Sequence, residues 1–221
     1  MPGRPAFDAA TAYRQATAAL AERDPVLRRL ISVAGPPDIS PPNESHLAAL
    51  VRAIVYQQLA GAAASAIHGR LIAALNGEIT PERMLALSDE TLRSVGLSRA
   101  KVASLRDLAA KVADGTVVLD PDLVWDENDA EVVTRLSTVR GIGRWTSEMF
   151  LIFQLQRLDV WPTGDLGVRK GYGLAWGILT PTAKQLEPLG EPYRPYRSVV
   201  AWYCWRASEL YGGTADSALT R

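Results

Sequence analysis

The apolar residues of this chain recur at helical spacing almost from end to end, and one short run breaks the pattern. Across residues 46–59, Leu47, Leu50, Val51, Ile54 and Val55 fall on one face of a helix. Across 100–112, Val102, Leu105, Leu108, Ala109 and Val112 do the same. Related patterns predict helices over 7–20, 26–33, 61–75, 81–86, 88–95, 129–136, 144–155, from 165 towards 176, and over 181–186 and 195–210. The punctuation agrees: Pro41-Pro42-Asn43 is a stop followed by a capping residue, Asn76-Gly77 ends a helix, and Ser98 starts one. Only Gly115-Thr116-Val117-Val118-Leu119 is β-branched, and it reads as a loop or a short strand. The expected fold class is all-α, with no internal repeat or low-complexity linker evident.

Composition narrows the class further. The 221 residues suffice for one domain or two small lobes, and 48% hydrophobic with 22% charged residues excludes global disorder. No apolar stretch approaches the roughly 20 residues needed to span a bilayer. No apolar signal region follows Met1, so the expectation is an intracellular protein, cytoplasmic or nucleoid-associated in a bacterium, without membrane attachment. A single cysteine, Cys204, excludes an internal disulfide and a four-cysteine zinc or iron–sulfur site. His46 and His68 stand apart from each other and from Cys204, which does not suit a side-chain metal site. The net charge is zero, but it averages over an acidic stretch from Asp114 to Glu131 and basic flanks such as Arg99, Lys101, Arg140 and Arg144. The plain reading of the acidic stretch is a solvated loop and helix start.

Most information lies in Leu136-Ser137-Thr138-Val139-Arg140-Gly141-Ile142-Gly143-Arg144-Trp145-Thr146-Ser147, which joins two helices by a tight turn. Two glycines around one apolar residue suggest positive φ angles and close backbone approach. Ile142 can plug the core while glycine amides face out, and residues 144–147 begin a helix whose free N–H groups and dipole favour an anion. Such a turn can hold a DNA phosphate without reading sequence. A dinucleotide fingerprint is the rival, but it needs a preceding strand and a third glycine where Thr146 stands. A purely structural turn is the other alternative on these residues alone. Asp165, taken alone, is an ordinary N-cap before Leu166-Gly167-Val168.

Turn and downstream residues taken together, the chain resembles the helix-hairpin-helix base-excision DNA glycosylases, specifically the 3-methyladenine DNA glycosylase II branch. The resemblance rests on Gly141-Ile142-Gly143-Arg144-Trp145-Thr146, then Asp159-Val160-Trp161-Pro162-Thr163-Gly164-Asp165-Leu166-Gly167-Val168. It extends to Ile54-Val55-Tyr56-Gln57-Gln58-Leu59, Gly96-Leu97-Ser98-Arg99-Ala100-Lys101, and Pro195-Tyr196-Arg197-Ser198 leading to Trp202 and Trp205. Together these span roughly residues 45 to 206 in the family's order.

The resemblance implies hydrolysis of the N-glycosidic bond of alkylated purines such as 3-methyladenine and 7-methylguanine in double-stranded DNA. It implies Asp165 as the catalytic carboxylate and Trp205 as the base-stacking ring, with Trp145, Met149 and Trp161 as further pocket residues. Gly141, Gly143, Arg144 and Thr146 would bind the DNA backbone, and Gln58 and Leu59 would enter the gap left by the base. Bifunctional relatives hold a Schiff-base lysine where this chain has Trp145, so no strand cleavage is expected. No cofactor is required, and an iron–sulfur cluster is excluded. A structural sodium or potassium ion would sit on the carbonyls of Ser137, Val139 and Ile142, which residue identity neither favours nor opposes.

The implied architecture is a two-lobed helical bundle with a cleft between the lobes. One lobe would comprise residues 45–158, with the hairpin at about 136–147; the other would join 1–44 to 159–221 and carry Asp165. A monomer is expected. Two alternatives stay open: a non-catalytic module sensing damaged DNA through the same hairpin, and a glycosylase for deaminated or oxidised bases.

Overall fold

A computed structural model describes residues 8–39 and 43–215, so the expectations placed on Phe7, Pro41 and Pro42 lie outside the described residues. Among those described, thirteen α-helices, one π turn and one 3₁₀ turn are present and no strand is, so the chain is all-α. Two compact units emerge: Pro42–Leu155, and the segments Met1–Pro41 and Gln156–Arg221 together.

The second of these units begins with α1 (Ala9–Arg23), whose first turn is capped by Asp8, and α2 (Pro25–Ala34). Tyr13, Ala16 and Leu20 of α1 and Leu27 and Leu30 of α2 lie at helical spacing and are buried. Asp24, between the two helices, ties this corner together. It accepts the N–H of Val26 at 2.7 Å, the Trp176 indole N–H at 3.1 Å and the Tyr193 hydroxyl at 2.6 Å. Partial burial works upward on its carboxyl, but these hydrogen bonds outweigh it and hold Asp24 below its ordinary value. Trp176 closes α11 (Leu166–Trp176) and stacks on Tyr172 at 4.1 Å. The short α12 (Ala183–Leu189) and a 3₁₀ turn (Glu191–Tyr193) lead to α13 (Arg197–Ala215).

α11 and α13 make backbone contact at Gly171. A Cβ placed there would lie 1.7 Å from the Cys204 carbonyl oxygen, so no residue but glycine fits. Tyr203, next to Cys204, is fully buried and donates its hydroxyl to the Gly35 carbonyl at 2.9 Å.

The Pro42–Leu155 unit is built from α3 (His46–Tyr56), α4 (Gly61–Ala74), α5 (Pro81–Ala86), α6 (Asp89–Ser94), α7 (Arg99–Ala113), α8 (Pro121–Asp126), α9 (Asp129–Leu136) and α10 (Arg144–Met149). Two local expectations need correcting, and a choice left open by the sequence is decided. The helix predicted to reach Leu59 stops at Tyr56: Gln57 leaves the helical region with ψ 129°, and Gln58 follows in a left-handed conformation with φ 56°. The β-branched run 115–119 is the loop of its two alternatives: Val117 turns inward, 1% exposed, and donates its N–H to the Lys111 carbonyl at 2.8 Å. Part of the acidic stretch is α8, which Asp120 caps through the N–H groups of Asp122 and Leu123 and which Pro121 opens. After α10 the helix widens into the π turn Phe150–Gln154, where the Leu155 N–H reaches back to the Phe150 carbonyl at 3.0 Å.

The structure also shows a repeat that the sequence hides. Val95-Gly96-Leu97-Ser98-Arg99 joins α6 to α7 much as Val139-Arg140-Gly141-Ile142-Gly143-Arg144 joins α9 to α10. Gly96 and Gly141 both have positive φ, 107° and 79°, and the apolar residues after them, Leu97 and Ile142, are 4% and 3% exposed. The single extra residue, Arg140, shifts the alignment by one and masks the likeness.

Candidate nucleic-acid and catalytic site

The hairpin between α9 and α10 is fixed by its neighbours. Val139 and Ile142 are buried, 1% and 3% exposed, and the Ile142 N–H closes a turn onto the Val139 carbonyl at 3.0 Å. Gly141 has φ 79°, and a Cβ there would meet the Ser104 hydroxyl oxygen of α7 at 2.5 Å, so glycine is required on two counts. Gly143 differs from the sequence expectation: its φ is −109°, ordinary extended backbone, and nothing crowds its Cα. Gly143 is the residue before the first turn of α10, where N–H groups lack intrahelical partners. Gly141, Gly143 and Arg144 are exposed.

Two residues expected at this surface behave differently from each other. Arg144 has a side chain 74% exposed, and its Nε pairs at 2.8 Å with Glu148, a carboxylate only 6% exposed. Thr146 is 7% exposed, so little of its side chain reaches the surface at the helix start. Trp145 is 49% exposed and Met149, one turn on, is half-buried, which leaves an apolar strip along α10.

The turn after α3 lies against the same hairpin. The Gln57 side-chain amide donates to the Gly141 carbonyl at 2.8 Å, joining residues 84 apart in sequence. Gln58, left-handed, and Leu59, 38% exposed, form the tip, with the Leu59 N–H on the Tyr56 carbonyl at 3.3 Å. A lone apolar side chain displayed on a braced, strained turn is not spent on the core.

In the other unit, Asp165 is the N-cap of α11. Its Oδ1 accepts the Val168 N–H at 2.8 Å and the Trp205 indole N–H at 2.9 Å, and the residue is half-buried. The capping role of Asp165 therefore holds, and the cap and the Trp205 indole together orient the carboxylate. Trp205 reaches it from α13 because Gly167 leaves room. A Cβ on Gly167 would lie 2.9 Å from Trp205 Cδ1 and 3.1 Å from Asp165 Oδ1. Burial and the Asp165 charge together push the neighbouring Cys204 thiol up, so Cys204 is a neutral, buried filler and no nucleophile.

Trp161, expected in a base pocket, is 5% exposed. Its indole N–H donates to the Leu186 carbonyl at 3.0 Å, its ring meets Tyr172 edge-on, and Gly190 packs against its face. Its surface is occupied by the core, which removes it from the pocket assignment. Sequence reasoning missed Gly167, although it lies inside the motif around Asp165; a glycine two residues after an N-cap, inside a helix, was the available signal. Among the described residues no three His, Cys, Asp or Glu side chains are arranged to hold a metal ion.

A helix-hairpin-helix turn braced from two sides, and a capped carboxylate beside an indole, define a class of helical DNA-repair proteins. The chain belongs to the HhH-GPD superfamily of base excision DNA repair proteins, which it matches over residues 51–195. It is 34% identical over 205 residues to DNA-3-methyladenine glycosylase 1 of Schizosaccharomyces pombe, covering 90% of each chain. Among solved structures it is similar to the S. pombe 3-methyladenine DNA glycosylase in complex with abasic DNA, with a TM-score of 0.78 and 34% identity, covering 89% of this chain and 97% of that one. It is also similar to a DNA-3-methyladenine glycosidase from Bacillus halodurans, with a TM-score of 0.79 and 33% identity over 87% of this chain and 88% of that one.

Proposed function

We propose that this protein is a monofunctional DNA glycosylase that releases alkylated purines from duplex DNA. The observation that carries the reading is the Asp165 carboxylate, held in a fixed, half-buried position by the helix cap and the Trp205 indole. Its support is family membership and relatives that are named 3-methyladenine DNA glycosylases.

The chemistry follows from the residues. A base inside a duplex is out of reach and must be extruded. Phosphate contacts by the amides at Gly141 and Gly143 and by the Arg144 side chain anchor the strand. Leu59, at the tip of its turn with Gln58, enters the vacated space as an apolar wedge. Purines alkylated at N3 or N7 carry positive charge, and the Trp205 ring suits them by stacking and cation–π attraction. When the N-glycosidic bond breaks, its electron pair leaves with the purine, which departs neutral. The deoxyribose acquires oxocarbenium character, which the Asp165 anion stabilises. Water then adds at C1′ and loses a proton, leaving an abasic site. Trp145 occupies the hairpin position, so no amine forms a covalent link to the sugar and the strand stays intact.

We extend the proposal to a sodium or potassium ion on the carbonyls of Ser137, Val139 and Ile142. These are hard oxygen donors on one turn; the Val139 carbonyl accepts one N–H and keeps a second lone pair. Such an ion would supply positive charge beside a phosphate.

Base release from duplexes carrying 3-methyladenine, 7-methylguanine, hypoxanthine or 8-oxoguanine tests the reading. Release of the first two, with no strand cleavage, is expected. Duplex binding without release of any base would reduce the protein to a damage sensor, and release of only the last two would move it to another substrate class.

A further inference from the structure

One face of α7 is shaped to the backbone of the hairpin. Ser104, Asp107 and Lys111 are spaced by three and four residues and so lie along one stripe of the helix. They meet the hairpin residues in reverse order. Ser104 sits under Gly141, where a Cβ would collide with it. Asp107 Oδ2 accepts the Arg140 N–H at 2.7 Å. The Lys111 ammonium donates to the Thr138 carbonyl and to Asp107 Oδ2, the latter at 2.8 Å. With Gln57 on the Gly141 carbonyl, three of the four residues from Thr138 to Gly141 have their main chain hydrogen-bonded by a side chain from outside the loop.

The charges matter as much as the bonds. The hydrogen bond from Lys111 and, after it, the one from the Arg140 N–H hold the Asp107 carboxyl below its ordinary value, so Asp107 is an anion beneath the loop. An anion there opposes a phosphate unless it is compensated, and the compensating ammonium lies 2.8 Å away. The Lys111 side chain is only 25% exposed and already engaged twice. It is therefore placed to act on the hairpin and not as a surface phosphate ligand.

We propose that Asp107 and Lys111 are positioning residues for duplex binding, which fix and neutralise the underside of the hairpin so that its amides face a phosphate. The inference rests on the proposed glycosylase function, and it places both residues outside the chemical step. Lys111→Met strips the compensating charge and frees the Thr138 carbonyl. It is expected to raise the Kd for duplex, and the KM for lesion-bearing duplex, about tenfold, the order of one lost charged hydrogen bond. At saturating duplex, kcat stays at the wild-type value. Lys111→Gln, which keeps a donor, falls between wild type and Lys111→Met. Adding Asp107→Asn to Lys111→Met removes the stranded anion, keeps an acceptor for the Arg140 N–H, and recovers most of the affinity.

The salt dependence separates positioning from direct contact. A lysine touching a phosphate would lower the slope of log Kd against log salt by about 0.9 when removed; here the slope stays at the wild-type value. Wild-type affinity in both Lys111 variants, a double variant no better than Lys111→Met, a lower kcat, or a reduced salt slope would each overturn the inference. Failure of the glycosylase reading looks different: wild-type protein that neither binds duplex nor releases a base.

Discussion

The indole N–H of Trp205 is the most informative single atom group to remove. Trp205→Phe keeps an aromatic face for a base and deletes the donor that lies 2.9 Å from Asp165 Oδ1. The cap from Val168 remains, so α11 keeps its start and the carboxylate keeps one of these two donors. A hydrogen bond to a charged group contributes about 1.5–3 kcal/mol, and the half-buried setting points to the lower end. Since about 1.4 kcal/mol corresponds to a factor of ten in rate, single-turnover release of 7-methylguanine should slow about tenfold. The duplex Kd should be unchanged, because the phosphate contacts assigned here lie on the hairpin. The assay is rapid-quench base release with enzyme in excess over lesion-bearing duplex. A wild-type rate in Trp205→Phe would refute the claim that the indole orients the carboxylate; an equal loss of affinity and rate would assign Trp205 to binding alone.

Two further outcomes test the scaffold. Gly171→Ala forces a methyl group to 1.7 Å from the Cys204 carbonyl oxygen, so α11 and α13 must separate; a loss at the upper end of overpacking costs, about 3 kcal/mol, should lower the thermal midpoint by roughly 10 °C. A wild-type midpoint would show that the helices do not cross so closely. Asp24 has its carboxyl held below the ordinary 3.8, so it binds fewer protons folded than unfolded. The stability it contributes is therefore full above that value and is lost as pH falls through its depressed folded value. Midpoints of wild type and Asp24→Asn followed from pH 7 to 3 should differ at neutral pH and converge in acid; parallel curves would remove Asp24 from its role.

The helices were legible because their apolar spacing is regular, as in Leu105, Leu108 and Ala109 of α7, all buried. α8 was not, because a six-residue helix, half of it aspartate or proline, is too short to carry a periodic stripe; its existence depends on Asp120 capping and Pro121 fitting the first turn. The π turn at Phe150–Gln154 reads as ordinary helix, since widening by one residue leaves no mark in composition. The hairpin's glycines were visible as a pair, yet only Gly141 uses its freedom; that a side chain there would also meet Ser104, thirty-seven positions earlier in sequence, is a contact made by folding. At the candidate site, residue types announced themselves while partners did not. Nothing local links Asp107 to the Arg140 N–H, Gln57 to the Gly141 carbonyl, or Trp205 to Asp165, because each is a contact closed by folding. Trp161 shows the converse: its place in the motif around Asp165 suggested a pocket, and packing against Tyr172 and Gly190 put it in the core.

The proposed chemistry gives one carboxylate, Asp165, the task of stabilising the sugar as an alkylated purine departs. Comparing wild type with Asp165→Asn on duplex containing 3-methyladenine and 7-methylguanine tests it most directly, because asparagine keeps an oxygen for the Val168 N–H and the Trp205 indole. Base release by wild type is expected, with a loss of two or more orders of magnitude in the variant, about 3 kcal/mol of transition-state stabilisation, and duplex affinity retained. Release at the wild-type rate by Asp165→Asn would contradict it.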